Sequence, residues 1–368
     1  MVFLRAQHIK FFQRCLTVLP CAMSSLDEMR MTVAYFAVSG LDLLNALDTI
    51  GNKKHIVEWI YSLQVLPNKD RTNLDRCGFK GSHATGFKGN DLDDNASSLN
   101  CGHIAMTYTA LATLIILGDD LSRVDRFAIM QGLKALQQES GSFTALIHGS
   151  EDDMRFVYCA AAICCLLHDW SGFDKEKAVS FIQSCYGYDG GISPYPGTES
   201  HGGSTYCAVA SLVLMGQLHS ALSEQQLRSL QRWCLNRQLT GFQGRPNKPI
   251  DTCYSFWVGA ALKLLGAFQF VNQKENLEFL YSTQDAITGG FSKWPDSDPD
   301  PMHAYMGIAS LSLMGAEKVA PLEPGLNISQ RAAEHLKSVH VSWTVLELEQ
   351  RLKSCSSKEN GTGGGGDR

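Results

Sequence analysis

A glycine turn followed at once by an apolar residue returns along this chain at a near-constant interval, and that recurrence limits its possible folds more than any other feature. It reads "CGFKG", "SGSF" (Ser142 in place of the second glycine), "GGIS", "TGFQG" and "GGFSKW". The apolar residues are Phe79, Phe143, Ile192, Phe242 and Phe291, spaced 64, 49, 50 and 49 apart. A helix-like segment precedes each, such as "EWIYSLQ", "GLKALQQ" or "EFLYSTQ". A more apolar one follows: "HIAMTYTALATLIILG", "DMRFVYCAAAICCLL", "GGSTYCAVASLVLMG", "DTCYSFWVGAALKLLG" and "HAYMGIASLSLMG". Their aromatic residues Tyr108, Tyr158, Tyr206, Phe256 and Tyr305 are spaced 50, 48, 50 and 49 apart. The longer first glycine interval marks a polar insertion around residues 80–100.

Each unit therefore predicts a helix, a glycine turn and a second helix. The second helices are rich in Ala, Gly, Ser and Cys and apolar nearly all round, as suits helices buried on every side. The first set carries more charge and predicts an outer layer. Five such units, with "MRMTVAYFAVSGLDLLNAL" as a further inner helix, make an all-α chain that is either an open solenoid or a closed α/α toroid. In a closed ring the inner-helix N-termini converge on one central cavity. Repetition alone suits a non-catalytic binding scaffold equally well.

Composition removes other classes. A net charge of -5 argues against a general nucleic-acid binder. No apolar run approaches the roughly 20 residues of a membrane span, so no stable membrane insertion is expected. Twelve scattered cysteines without a C-x-x-C pair point to a reducing compartment, the cytoplasm. "FLRAQHIKFFQRCLTVLP" has helical apolar spacing up to Pro20 and predicts a folded first helix rather than a transit peptide. One domain is expected over residues 1–345, followed by a low-complexity, disordered tail over 346–368.

The residues that open the inner helices favour chemistry. Asp251 and Cys253 open the fourth, and His303 holds almost the same place in the fifth. Asp, Cys and His are donors that zinc accepts, and three protein ligands with one open position mark a catalytic site. Taken singly, each has a plainer role, as an N-cap, a packing thiol and a core histidine. Just upstream, "GFQGRPNKP" carries Arg245 and Lys248, and "ESHGGST" places His201, Gly202 and Gly203 at the third inner helix. Cations beside helix N-termini, with glycines admitting backbone N–H groups, suit a phosphate. Zinc beside a diphosphate pocket and an aromatic-lined cavity suggests alkylation of a thiol by an isoprenoid diphosphate.

The phrases "FFQRCL", "EWIYSLQVLP", "GHIAMTY", "GDDLSRV", "DMRFVYCA", "ESHGGST", "GRPNKP", "DTCYSFWVGA" and "KWPDS" resemble the protein prenyltransferase β-subunit family, in particular its geranylgeranyltransferase type I branch. The resemblance runs from about residue 3 to about 345. It implies an α/α toroid paired with a helical-repeat α subunit that contributes a lysine. It also implies transfer of geranylgeranyl from geranylgeranyl diphosphate to the cysteine of C-terminal C-a-a-Leu sequences, as in Rho/Rac-type small GTPases.

On that resemblance Asp251, Cys253 and His303 are zinc ligands, with the substrate thiolate as the fourth. His201, Gly202 and Gly203, the segment Arg245, Pro246, Asn247 and Lys248, and the segment Tyr254, Ser255, Phe256 and Trp257 match the isoprenoid-diphosphate site. Arg155 matches a residue near lipid and peptide. Thr32 stands where farnesyltransferases carry a tryptophan, and Lys293 where they carry a magnesium-binding aspartate, so magnesium is not expected to be required. Farnesyl- and Rab-type β subunits are the near alternatives. A class II terpene cyclase would use the "DLDD" run Asp91–Asp94 as proton donor, which needs burial that this polar insertion does not promise.

Overall fold

The computed structural model describes residues 2–19, 21–84 and 100–359, with side chains described to residue 345. In chain order the helices are α1 (Arg5–Cys15), α2 (Arg30–Leu43), α3 (Lys53–Ser62), α4 (Ile104–Ile116), α5 (Arg126–Leu136), α6 (Met154–Leu167) and α7 (Lys175–Ser184). They continue as α8 (Gly202–Leu214), the single turn α9 (Leu218–Ala221), α10 (Glu224–Leu235), α11 (Thr252–Leu264), α12 (Gln273–Ser282), α13 (Pro301–Leu313) and α14 (Gln330–Glu359). The Asp91–Asp94 run lies outside the described residues. The last helix crosses residue 345, where composition places the end of the domain, and the glycine-rich residues 360–368 are not among those described.

Among the described residues, α2, α4, α6, α8, α11 and α13 form the inner layer, each packed on the next, and α13 packs on α2 to close the ring. The alternation of helix types has a local cause. Inner helices bury nearly every position, α13 from Pro301 to Leu313 with only Met302 partly exposed. Outer helices bury one stripe, as α10 does through Leu227, Leu230, Trp233 and Cys234. Ser223 starts α10 with a capping box, its hydroxyl accepting from Gln226 N–H while the Gln226 side chain accepts from Ser223 N–H.

The turn residues behave as the repeat predicts. Phe79, Phe143, Ile192, Phe242 and Phe291 are all fully buried, each contributing about 1.5–3 kcal/mol by leaving water. Each also pairs antiparallel with a residue just past the preceding outer helix: Gln64 with Phe79, Gln137 with Phe143, Tyr186 with Ile192, Gln238 with Phe242, Gln284 with Phe291. Gly141 and Gly190 hold φ of +91° and +87° in two of these turns. A Cβ on Gly141 would strike the Lys177 carbonyl, so glycine is what lets the next outer helix close in.

The repeated aromatic residues meet at the centre of the ring. Tyr35, Tyr108, Tyr158 and Tyr206 link edge to edge, with hydroxyl oxygens 3.2–3.3 Å apart. The segment Pro324–Asn327 plugs this ring of phenols. Its Asn327 carbonyl accepts from Tyr35 and Tyr305, Leu326 from Tyr108 and Pro324 from Tyr206. Every buried hydroxyl there finds a partner, which makes the polar centre tolerable in an apolar ring. Beyond the plug, Arg331 donates to Asp42 and to the Ile116 carbonyl and so ties α14 across α2 and α4.

Candidate metal and anion site

The rim of the ring is set by the residues that cap the inner helices. His103, Asp153, His201, Asp251 and Asp300 are the N-caps of α4, α6, α8, α11 and α13, each accepting a backbone N–H two residues on. They recur in the same register as the aromatic residues because both positions are counted from the same helix start. At this one position the fold thus needs only a hydrogen-bond acceptor, and different repeats are free to meet that need with different chemistry.

On α11 and α13 that chemistry converges. Asp251, Cys253 and His303 are 5%, 5% and 6% exposed, and one ligand atom from each lies within 4.8 Å of the other two. His303 Nε2 stands 3.2 Å from Asp251 Oδ1, yet out of line for a hydrogen bond, so this buried nitrogen has no hydrogen-bond partner. Its other nitrogen is taken: Nδ1 donates to Asp300 Oδ2 at 2.5 Å. Asp300 also accepts from the Met302 and His303 N–H groups, which fixes the carboxylate at the helix start. A carboxylate behind a histidine with its far nitrogen left open is the support that metal-ligating histidines use.

The donor set fits zinc. Burial, and then the Asp251 charge, push the Cys253 thiol well above its usual pKa. Burial also disfavours a charged His303, but the carboxylates of Asp251 and Asp300, one near each ring nitrogen, outweigh it and raise the ring to about 9. The three side chains therefore attract positive charge into a buried space. A divalent cation accepting O, S and N donors would satisfy all three, and zinc takes that donor set.

Beside this cluster lies a cavity of about 210 Å³ lined by His201, Gly244, Arg245, Lys248, Pro249, Asp251, Tyr254, Lys293 and Trp294. His201 Nδ1 accepts from Gly203 N–H, which leaves the proton on Nε2, donated to the Tyr254 hydroxyl at 2.9 Å. Burial, then the charge of Arg245, depress the His201 pKa, so the ring stays neutral. Burial pushes the Tyr254 phenol up, so it keeps its proton. That proton is free to meet a ligand oxygen. Arg245 pairs with Glu199 at 2.7 Å, and Lys293 Nζ lies 3.8 Å from Asp251 Oδ2. Three cations and the Tyr254 hydroxyl line one small cavity, a lining that suits an anion.

Glycine is required twice beside this cavity, once in its lining and once next to His201. A Cβ on Gly202 would sit 2.8 Å from Val258 Cγ2, and one on Gly244 would overlap the Tyr254 ring. Gly202 N–H donates to the Gly244 carbonyl at 2.7 Å, which joins the two glycine segments across the repeats.

Other sequence-predicted residues lie elsewhere. Pro246 and Asn247 form the turn between Arg245 and Lys248, with Asn247 at φ +61°. Ser255 is buried and donates to Asn276 Oδ1, and Phe256 is buried against Tyr206 and Trp257. Trp257 also packs on Tyr206. Arg155 is held by Asp153 and Glu151. Thr32 donates to Met106 Sδ at 3.3 Å. None of these lines the 210 Å³ cavity. Asp300, Gly244 and Trp294 are site residues that the sequence reading passed over. Asp300 was within its reach, since it stands 49 residues after Asp251 in the repeat.

A larger cavity of about 520 Å³ lies between α1, α2 and α3, lined by residues such as Leu16, Val33, Ile56 and Trp59. It holds none of the convergent donors and is not the candidate site.

The Prenyltransferase alpha-alpha toroid domain family matches residues 3–328. The chain belongs to that family. It is 42% identical over 344 residues to the geranylgeranyl transferase type-1 subunit beta of Arabidopsis thaliana, covering 90% of each chain. It is 39% identical over 337 residues to the Dictyostelium discoideum subunit of the same name, covering 88% of this chain and 94% of that one. Among solved structures it resembles Candida albicans protein geranylgeranyltransferase-I complexed with GGPP. There the TM-score is 0.82 at 28% identity, covering 92% of this chain and 99% of the other. No helix among the described residues is long and apolar enough to cross a membrane.

Proposed function

We propose that the chain is the catalytic β subunit of a heterodimeric type I protein geranylgeranyltransferase. It transfers geranylgeranyl from geranylgeranyl diphosphate to the cysteine thiol of C-a-a-Leu proteins such as Rho/Rac-type small GTPases in the cytoplasm. One observation carries this reading: a buried Asp-Cys-His cluster and a cationic cavity share Asp251 as a common wall. A thiol held at the first is thereby next to a diphosphate held at the second.

Asp251, Cys253 and His303 would hold the zinc. A free thiol of pKa about 8.5 is mostly neutral near pH 7, and zinc held by these residues would supply the positive charge that favours its thiolate. The thiolate sulfur attacks carbon 1 of the lipid, a carbon–sulfur bond forms, the carbon–oxygen bond breaks, and diphosphate leaves with that electron pair. Charge growing on the bridging oxygen is met by the Tyr254 hydroxyl, which His201 holds in place, and by Arg245, Lys248 and Lys293. Lys293 supplies fixed positive charge where a carboxylate would need magnesium. Arg155 and Thr32 would face the lipid and peptide away from the diphosphate.

The test is co-expression with a prenyltransferase α subunit, then assay of geranylgeranyl and farnesyl donors against C-a-a-Leu and C-a-a-Ser peptides. Preference for the geranylgeranyl donor and C-a-a-Leu is expected. Preference for farnesyl and C-a-a-Ser would replace this reading with a farnesyltransferase one, and product formed without a peptide acceptor would point to a cyclase.

A further inference from the structure

Lys293 owes its place to its neighbour. The backbone around it cannot shift freely, because three successive carbonyls are each bonded: Ser292 C=O accepts from Thr252 Oγ1 at 2.7 Å, Lys293 C=O from Thr252 N–H at 2.9 Å, and Trp294 C=O from Ser292 Oγ at 2.7 Å. Thr252 lies between Asp251 and Cys253 and is fully buried, so the start of α11 and the Lys293 segment are fastened together. The remaining freedom is in the long Lys293 side chain, half exposed at the cavity edge.

Two groups restrain that side chain. One is Asp251 Oδ2 at 3.8 Å, the other the Trp294 ring, whose centroid lies 4.6 Å from Nζ. Successive side chains on an extended segment point to opposite faces. Here the turn that follows, with Asp296 at φ +63°, accompanies Lys293 and Trp294 lining one cavity. Trp294 is 43% exposed, so its ring stands at the cavity edge and not in the core.

The two restraints differ in kind. A carboxylate holds an ammonium by neutralising it, and Asp251 belongs to the metal cluster. An indole face attracts the ammonium while leaving its charge available to a third party. We infer that Trp294 is a positioning residue that holds the Lys293 ammonium over the anion cavity, so that its charge meets the departing diphosphate. The inference rests on the proposed role of Lys293, and Trp294 itself need not touch the reacting atoms.

The experiment uses the zinc-loaded heterodimer and compares Trp294→Leu, Trp294→Phe, Lys293→Ala and the Trp294→Leu/Lys293→Ala double variant. Single-turnover thioether formation is measured with and without added magnesium, and helix content and melting temperature check folding. Trp294→Leu is expected to slow the chemical step about three- to tenfold, with most of the loss recovered by magnesium. Trp294→Phe, which keeps a ring face, should stay within about twofold. In the Lys293→Ala background Trp294→Leu should cost nothing further, because the group it positions is gone. An equal Trp294→Leu loss in both backgrounds, or no loss where Lys293→Ala is slow, overturns the positioning role and leaves the Lys293 role standing. A full-rate Lys293→Ala enzyme overturns the Lys293 role, and the positioning role with it.

Discussion

Replacing Asp300 by asparagine isolates the support behind the metal site. Asp300 does two jobs with two oxygens: Oδ1 caps α13 by accepting from Met302 and His303 N–H at 2.9 and 3.0 Å, and Oδ2 accepts from His303 Nδ1 at 2.5 Å. Asparagine caps helices about as well as aspartate, so Oδ1 keeps the first job. The amide NH₂ then faces Nδ1, a donor against a donor, unless the imidazole moves its proton to Nε2. Nε2 is the nitrogen aimed at Asp251 and Cys253, so a metal can be ligated there only with the Nδ1 proton left facing the amide donor. Losing such an outer partner costs about 10–100-fold in metal affinity, or roughly 1.4–2.7 kcal/mol. Competition against a chromophoric chelator should show zinc affinity lowered by that factor, with activity returning at high zinc and the melting temperature of the zinc-free protein nearly unchanged. Asp300→Ala, which also removes the cap, should lose about 1 kcal/mol more of stability. Unchanged zinc affinity in Asp300→Asn would refute the tautomer argument, and a melting drop that accounts for the lost zinc would assign Asp300 to folding.

Cys253→Ala should bind zinc far more weakly and lose thiol alkylation while keeping its helical circular dichroism; full zinc stoichiometry would remove Cys253 from the ligand set. Thr32→Trp should shift donor preference toward farnesyl diphosphate, because the fourth isoprene adds five carbons worth up to roughly 4 kcal/mol of burial; an unchanged donor ratio would place the selecting wall elsewhere. Lys293→Asp should convert an enzyme indifferent to magnesium into one that requires it, and steep magnesium dependence before substitution would contradict the role given to the lysine. Stability should fall in acid. Burial depresses His8 from 6.5 to about 4, only partly countered by its hydrogen bond with Gln284, so its contribution is whole above 6.5 and is lost as pH falls from there toward 4. For a fully buried ring this is about 3 kcal/mol. Urea midpoints between pH 7 and 4 should therefore fall less steeply in His8→Gln, and parallel slopes would dismiss His8 as a source.

The chain by itself determined what depends on residues near one another along it. Phe79, Phe143, Ile192, Phe242 and Phe291 could be assigned to the core because each lies at a local helix–turn–helix junction. Asp251 and Cys253 could be paired because one helix start carries both, and His303 joined them through the repeat spacing. The helical first segment was legible from its apolar spacing, and α1 occupies Arg5–Cys15. Closure was implied by the family resemblance but was not legible in the repeat itself. An open solenoid and a ring share the same repeat, and the difference lies in α13 meeting α2, helices that begin at Pro301 and Arg30. The phenol plug is of the same kind, because the carbonyls that satisfy Tyr35 and Tyr108 belong to Asn327 and Leu326. The hydrogen bond between His201 and Tyr254, the stop that Ser255 finds on Asn276 and the fastening of Lys293 to Thr252 all cross between repeats. Periodicity says which residues share a register, but which side chains touch across that register depends on how far each helix pair rotates against the next, and only the closed ring sets that angle.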